Sequence, residues 1–585
     1  MKLNCKTVEA HGDVAVGRAL LPVEIPTTGK SARPTNLLLK LMLLVALAPM
    51  TLFAQEAPAK SPAVQRTFLG AANCVMCHNN GLPKADDANA AALEVLGFTG
   101  LANDSWVTLE ELKLWANQDK HSQAFTSLLN ERSQQIGKLL GVAEIHRDKR
   151  CLACHTAYPL AAMGNDPHLM PPELVKNFRV SQGVSCEGCH SPSGDTRDAA
   201  GVLPGWYQPH TQREFWRFMA TKEKREKFGF ADIRSTTART RMCLTCHLGN
   251  AAEGKVVTHE MYAAGHPPLP GFELSTFAAQ MPKHWLDFDK KPAAVRNEFL
   301  EKSTDDAYGR DSFKLDNLPE TNNVLVAALV SFSENLKLSA ALADEAATMP
   351  VAKPDWPELA QFECFACHHD LKDKSWRQRR TLRGAPGRPM LRAWPTTLTK
   401  LAIKRAGHDS KEFDQRLQTI EKLLSEQPFG RRERWLATIR PLTAWLDEQA
   451  LSLERKPLPR DAGFGLLREI AIVAESDLWD YDSARQLVWA AQTLRRELSS
   501  DRSDEALRSK VAALDSSFAE IERLFVLDLI QGRKAQQQLP GSTKSRDVQE
   551  VDLEKTLPPI ANYDAALFRD QFRKLATKLV PVGRE

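Results

Sequence analysis

One five-residue pattern, Cys-x-x-Cys-His, occurs five times in this chain and accounts for ten of its eleven cysteines. The copies read CVMCH at 74–78, CLACH at 151–155, CEGCH at 186–190, CLTCH at 243–247 and CFACH at 364–368. This spacing is the attachment signature of c-type haem, in which both thiols bond covalently to the porphyrin and the histidine binds iron from one face. The pattern therefore predicts five covalent haem c groups.

The residues that would carry this chemistry follow directly from the motifs. The predicted thioether cysteines are Cys74, Cys77, Cys151, Cys154, Cys186, Cys189, Cys243, Cys246, Cys364 and Cys367. The predicted proximal iron ligands are His78, His155, His190, His247 and His368. Disulfides would not need a histidine after each pair, and zinc ribbons combine pairs into four-ligand sites, for which five pairs is an odd number. A thioredoxin-like motif would occur once, so haem attachment is the favoured interpretation.

Histidines outside the motifs are candidates for the opposite, distal face of each iron. His121 follows a Thr-x-x-Glu capping box formed by Thr108 and Glu111. It shares a helical stripe with Phe125 and Leu128, which predicts a helix that runs through His121. A histidine in an apolar stripe is usually a hydrogen-bonded core residue, but five irons need ligands, which favours ligation here.

Two further candidates follow the fourth motif. His259 and His266 are seven residues apart, and Gly265 and Pro267 flank the second of them, which predicts a local break in the helix. That break could turn an imidazole toward a porphyrin. His210, which follows the third motif, is a comparable candidate.

The remaining histidines are weaker candidates. His146 and His168 flank the second motif, and surface loop histidines would look the same. His369 adjoins a proximal histidine, so it could serve only a different haem. His284 and His408 are expected to be structural.

Several of these motifs together resemble a known family. In chain order they are CVMCH, then Trp115, His121, Ala124 and Phe125 in the pattern W-x5-H-x-x-A-F, then CLACH, GVSCEGCH at 183–190 and CLTCH. This order resembles the cytochrome c-554 group, tetrahaem cytochromes c that are more distantly related to multihaem hydroxylamine oxidoreductases. The resemblance covers residues 70–270, less than half of the chain.

The resemblance implies a mostly helical, loop-rich fold around closely packed haems, with redox proteins as partners. It also implies that His121, a histidine after the third motif and another after the fourth act as distal ligands. One haem of the family lacks a strong sixth ligand, and motif order would place that haem at His155. The chain departs from the family where Ser191 replaces the usual glycine, and in its fifth motif and the residues after it.

The N-terminal residues predict export. Leu41–Phe53 is an apolar run of 13 residues behind Lys30, Arg33 and Lys40, too short to span a membrane but typical of a secretory signal. We therefore expect a periplasmic or otherwise exported protein, with membrane association only if the leader is retained. The 77 basic and 73 acidic residues give a net charge of +4, most of it in the leader, which argues against nucleic-acid binding.

Composition and periodicity predict a mainly α fold, a loop-rich multihaem cytochrome c core followed by an all-helical C-terminal domain. The expected divisions are 1–54 leader, 55–68 linker, 69–300 tetrahaem core, 301–392 segment with the fifth motif and a basic loop, 393–535 helical domain, and 536–585 linker and terminal helix. A helix is expected over 320–349, and Trp435, Trp445, Trp479 and Trp489 are the expected anchors of the helical domain. That domain would serve docking or oligomerisation.

The stretch 372–392 has eight basic residues against one acid. It is either a solvated loop or a surface that pairs with haem propionates or docks an acidic redox partner. The favoured function is an exported pentahaem cytochrome that carries electrons between redox proteins through mostly bis-histidine haems. The alternative is an oxidoreductase that acts on nitrite, hydroxylamine or nitric oxide at one open iron. A structural or sensory haem module is the third interpretation.

Overall fold

The computed structural model describes residues 66–79, 106–198, 201–303, 317–368, 388–426, 431–456, 458–500, 504–527, 532–538 and 545–579. All of them belong to one compact unit that spans residues 64–585. The predicted leader, most of the predicted linker 55–68, His369 and the basic stretch up to residue 387 lie outside the described residues.

The N-terminal half consists of short helices joined by loops and 3-10 turns. Its helices are α1 (Val75–His78), α2 (Glu111–Gln118), α3 (Glu131–Leu139), α4 (Lys149–His155), α5 (Phe178–Ser181), α6 (Cys186–His190), α7 (Tyr207–Thr211), α8 (Arg213–Phe218), α9 (Thr221–Phe228), α10 (Thr236–His247), α11 (His259–Ala263), α12 (Leu274–Gln280) and α13 (Ala293–Lys302). A two-stranded antiparallel hairpin, β1 (Thr196–Asp198) and β2 (Gly201–Leu203), lies between α6 and α7.

The C-terminal half has longer helices. They are α14 (Pro319–Ala343), α15 (Thr399–Ala406), α16 (Ser410–Glu426), α17 (Arg432–Glu454), α18 (Gly463–Glu475), α19 (Tyr481–Ser499), α20 (Glu505–Ala512), α21 (Asp515–Glu522), α22 (Leu553–Ala561) and α23 (Ala565–Lys578). A second antiparallel hairpin, β3 (Gly532–Gln538) and β4 (Ser545–Val551), precedes α22. The described chain is mainly α, as the sequence predicts.

The central element of the C-terminal half is α14, which packs against α10, α15, α17 and α19. By length and composition it is apolar enough to cross a membrane, but 78% of its most apolar window is buried inside the protein. It is therefore the core helix of this half. Its first turn is capped by Glu497, whose carboxylate accepts hydrogen bonds from the Glu320 and Thr321 backbone N–H groups, both at 2.7 Å.

The predicted helix over 320–349 is confirmed, although it ends at Ala343. Of the predicted anchors, Trp435, Trp479 and Trp489 are buried, and Trp445 is partly buried at the edge of the same core. This core extends into the motif region, because Leu244 of α10 belongs to it. The expected helical domain and the expected haem core thus share one hydrophobic interior.

The expectation for residues 536–585, a polar linker and one last helix, was incorrect. The structure has a hairpin over 532–551, followed by the two helices α22 and α23. Val548 of β4 is 3% exposed, and the hairpin packs on the 3-10 turns Lys120–Gln123 and Thr126–Leu129. The polar sequence hid this element because apolar alternation, the usual signal of a strand, is weak in both strands.

Candidate haem sites

Each motif lies on a helical turn, and we number the sites 1 to 5 in chain order. The first four motifs form the last turns of α1, α4, α6 and α10, each of which ends at its motif histidine. The fifth motif begins with the 3-10 turn Cys364–Ala366. Residues three and four apart share one face of a helix, so each motif presents both thiols and the imidazole together. None of the ten motif cysteines forms a disulfide bond.

Three motif histidines face a second histidine from a distant part of the chain. The ring centroids are 6.2 Å apart for His78 and His210, 6.1 Å apart for His247 and His121, and 6.1 Å apart for His368 and His259. The ring planes meet at 19°, 88° and 31°, respectively. Sites 1, 4 and 5 therefore each have two histidines whose rings are about 6 Å apart.

This spacing fits an iron between two imidazoles. A metal–imidazole nitrogen distance is about 2 Å and that nitrogen lies about 1 Å from the ring centre, so two axial imidazoles have centroids about 6 Å apart. The residues at these three sites thus fit the group that the motifs imply.

Sites 2 and 3 also have a second histidine nearby. His155 of site 2 is close enough to His266 to help burial in lowering the pKa of His266. At site 3, His284 is close enough to His190 to help burial in lowering the pKa of His190. In the described part of the chain, the buried Nδ1 atom of His284 has no hydrogen-bond partner. His284 is a candidate that the sequence did not reveal, since only its place in the fold brings it to a motif.

The Nδ1 atoms of these histidines have either neutral or anionic partners. Backbone carbonyls lie near four of them: His155 with Ala124 at 2.7 Å, His190 with Ala231 at 3.3 Å, His210 with Trp206 at 3.2 Å and with Tyr207, and His266 with Pro267 at 2.8 Å. The Ser127 hydroxyl also lies 3.1 Å from the His155 Nδ1 atom. Carboxylates lie near two others, Glu111 at 2.9 Å from His78 and Asp119 at 2.9 Å from His121. A proton held on Nδ1 leaves Nε2 as the metal-binding atom.

The protonation of the histidines follows from these surroundings. Burial, helped by a second histidine nearby, lowers the pKa of His210, His247 and His266 to about 4. At neutral pH they are neutral imidazoles, the form that binds metal. Burial alone would also lower the pKa of His78 and His121, but the carboxylate hydrogen bonds outweigh it and raise the pKa of both.

The predicted helix through His121 is interrupted. The helix α2 ends at Gln118, and Asp119 starts a separate 3-10 turn that carries His121. The Asp119 Oδ1 atom accepts hydrogen bonds from both the backbone N–H of His121, at 3.0 Å, and its ring. The capping-box contact is present, since Glu111 Oε1 accepts the Thr108 N–H at 3.2 Å. An aspartate two residues before a histidine was the sequence signal for this break.

The segment before motif 3 packs directly on the His121 turn. Gly183 has φ +79°, and a Cβ there would lie 2.6 Å from the His121 carbonyl oxygen, so glycine is required. The same carbonyl accepts a hydrogen bond from the Val184 N–H at 2.9 Å. The Trp115 indole donates to the Val184 carbonyl, also at 2.9 Å. These contacts place site 3 beside the distal side of site 4.

Glu187, the second residue of motif 3, fixes the segment before motif 1. Its buried carboxylate accepts hydrogen bonds from the N–H groups of Leu69 at 3.0 Å, Gly70 at 2.6 Å and Ser193 at 2.7 Å. The Ser193 hydroxyl donates to it as well, at 2.7 Å. Sites 1 and 3 are thereby held together.

Contacts between thiols show which sites are neighbours. Cys74 lies close enough to Cys186, Cys154 to Cys246, and Cys189 to Cys243 for the second thiol of each pair to shift the pKa of the first. The sites therefore follow one another in the order 1, 3, 4, 2.

Site 5 adjoins site 2 through α11. His259 begins this helix and faces His368, and His266 follows the helix and lies near His155. Sites 1 and 5 thus lie at the two ends of the series. Site 1 exposes Met76, and at site 5 both cysteines are exposed.

The other candidates have different surroundings. His168 is exposed, and its contacts run through the backbone, where its carbonyl accepts the Lys149 N–H. His146 is half-buried, and in the described part of the chain its Nδ1 has no hydrogen-bond partner. His408 packs edge-on against Trp445, with centroids 5.9 Å apart. The structure pairs none of the three with a motif histidine among the described residues.

Comparison with known proteins gives one match. Residues 109–191 match the family described as cytochrome c554 and c-prime. This range contains α2, the His121 turn and motifs 2 and 3, and it supports a haem-c electron-transfer protein. Neither a curated protein nor a solved structure matches the chain.

Proposed function

We propose that this chain is an exported pentahaem cytochrome c that carries electrons between redox partners through mostly bis-histidine haems. The observation that carries the proposal is the spacing of the histidine pairs at sites 1, 4 and 5, each of which joins a motif histidine to a second histidine from elsewhere in the chain. A haem c at each motif supplies a one-electron ferric–ferrous couple.

The chain's own residues would hold each group. The motif cysteines form the thioether bonds, and the motif histidines bind the iron from the proximal side. On the distal side we assign His210 to site 1, His121 to site 4 and His259 to site 5. We assign His266 to site 2 because it lies near His155, and His284 to site 3 because it lies near His190. Six of these ligands are oriented by the group beside their Nδ1 atom, namely His78, His121, His155, His190, His210 and His266.

The order of the sites suits the passage of electrons from the protein surface at site 1 to the surface at site 5, or in the reverse direction. Sites 1 and 5 lie at the ends of the series and are the most exposed, so redox partners would dock there. The basic stretch 372–392 supports site 5 as one of these places. It begins just after motif 5 and returns to it, because the Glu363 N–H donates to the Met390 carbonyl at 2.9 Å and the Arg392 side chain donates to the Ala360 carbonyl. An acidic partner protein fits this surface.

The alternative, an enzyme that acts on a small nitrogen species, needs an iron with a free face. By the family resemblance, site 2 would provide it. Here His266 is half-buried near His155, and the pKa near 4 keeps it available as a neutral ligand. This placement supports electron transfer over catalysis.

Electron paramagnetic resonance of the ferric holoprotein tests the proposal. We expect low-spin signals only, with no change on addition of nitrite or nitric oxide. His266→Ala should convert one haem to high spin, whereas His408→Ala, a control histidine packed on Trp445, should leave the spectrum unchanged. A high-spin signal in the unaltered protein that responds to nitrite would contradict the proposal, and so would a colourless protein.

A further inference from the structure

The axial histidines differ in what receives their Nδ1 proton. At sites 2 and 3 the partners of the motif histidine are neutral: a backbone carbonyl at both sites, and at site 2 the Ser127 hydroxyl as well. At sites 1 and 4 one axial histidine has a carboxylate instead, 2.9 Å away in both cases. This difference has a predictable effect on the iron.

At site 4 the carboxylate is nearly sealed from solvent. The Asp119 side chain is 5% exposed. Its Oδ1 atom binds both the backbone and the ring of His121, while the Asp119 carbonyl accepts the Ser122 hydroxyl at 2.8 Å. The local turn therefore fixes the carboxylate against the imidazole.

At site 1 the carboxylate belongs to the first residue of α2. The Glu111 side chain is 17% exposed. Its Oε1 atom accepts hydrogen bonds from the Thr108 N–H, the Thr108 hydroxyl and the Leu109 N–H, at 3.0–3.2 Å. The Oε2 atom is thereby left to face His78.

An anionic acceptor makes the imidazole a stronger donor to iron and adds a negative charge near it. Both effects favour the ferric over the ferrous state, and partial burial limits the screening of that charge. We propose that Glu111 and Asp119 are positioning residues that lower the reduction potentials of the haems at sites 1 and 4. This inference rests on the proposed function, since it assumes haem between the paired histidines.

The two sites allow different substitutions. In Asp119→Asn, the amide oxygen can still accept both hydrogen bonds from His121, so the charge alone is removed. In Glu111→Gln, the amide oxygen is retained by the three donors of the Thr108 turn, and the amide nitrogen then faces the His78 N–H. Glu497→Gln is the matched control, because Glu497 is a carboxylate that caps a helix and contacts none of the axial histidines.

Redox titration of the holoproteins, followed by absorbance and paramagnetic resonance, measures the effect. Each site variant should shift one haem toward the ferrous state by at least tenfold in its equilibrium constant, about 59 mV for one electron, and leave the others unchanged. The ring angles of 19° at site 1 and 88° at site 4 give the two ferric irons different spectra, which identifies the shifted haem.

The outcomes separate the inference from the proposed function. Unchanged potentials in both variants, with five low-spin haems retained, would overturn the inference and leave the proposed function standing. Loss of the haem from both variants would also overturn it, since the carboxylates would then be structural. A similar shift in Glu497→Gln would show that the effect is not local. Absence of low-spin haem in the unaltered protein would instead refute the proposed function.

Discussion

Replacing Glu187 with glutamine should loosen the junction between sites 1 and 3. The Oε1 atom accepts three hydrogen bonds, from the Leu69 N–H and from the N–H and hydroxyl of Ser193, while Oε2 accepts only the Gly70 N–H at 2.6 Å. The amide would keep its oxygen toward the three donors and point its NH2 group at Gly70. One charge-assisted bond is lost and the others become neutral, which should cost about 2–4 kcal/mol of unfolding free energy.

Urea unfolding of the holoprotein at pH 7 measures this loss, with Glu226→Gln as the control. Glu226 is an exposed residue of α9, so its variant should stay within about 0.5 kcal/mol of the unaltered protein. Trypsin should also cleave after Arg66 faster in Glu187→Gln, because the segment that follows Arg66 is no longer fixed to motif 3. Equal unfolding free energies for the two variants would refute the assignment of Glu187 as the clamp between these sites.

Three further predictions concern residues around the sites. Ser191 has φ 68° and ψ 160°, a conformation that costs a non-glycine residue about 1–3 kcal/mol. Ser191→Gly should therefore raise the unfolding free energy, measured by urea unfolding, by about 1 kcal/mol. An unfolding free energy below that of the unaltered protein would contradict this. Burial would raise the pKa of Asp232, but the charges of Arg234 and Lys224 lower it to about 2, so this carboxylate should contribute about 2 kcal/mol of stability above pH 4 that is lost as the pH falls toward 2. Urea unfolding at several pH values checks this, and Asp232→Asn should lack that part of the pH dependence. Val548→Asp would place a charge in the buried face of β4, so limited proteolysis should cut the hairpin 532–551 in the variant and spare it in the unaltered protein.

The sequence predicts the mainly α fold well, because the fold class depends on local patterns. Helix α14 and the buried tryptophans of α17 and α19 follow from apolar periodicity over long segments. The prediction of the motif histidines as iron ligands needs no tertiary information, since they adjoin the cysteines that are predicted to attach the haem.

The histidine pairs required the structure. His121 and His247 come from distant parts of the chain, and only the folded structure places their ring centroids 6.1 Å apart. His284 gave no sequence signal, because its loop reaches site 3 through tertiary contacts alone. The structure places the carboxylates of Glu111 and Asp119 beside His78 and His121, respectively. Which oxygen of each carboxylate faces which donor is also visible only in the structure.

The hairpin 532–551 was missed for a different physical reason. Its strands are rich in charged and amide side chains, and apolar alternation, the usual signal of a strand, is weak in them. The antiparallel register pairs Ala535 with Val548, and the Val548 side chain is buried. Such an element is specified by its packing against the rest of the chain more than by its own sequence.

Intact-mass spectrometry of the protein, produced in a host that matures c-type cytochromes, is the direct test of covalent haem at the five motifs. We expect a chain that carries the mass of five haem groups, with all ten motif cysteines resistant to alkylation after unfolding. A chain without added haem mass, whose motif thiols react freely with an alkylating reagent, would contradict it.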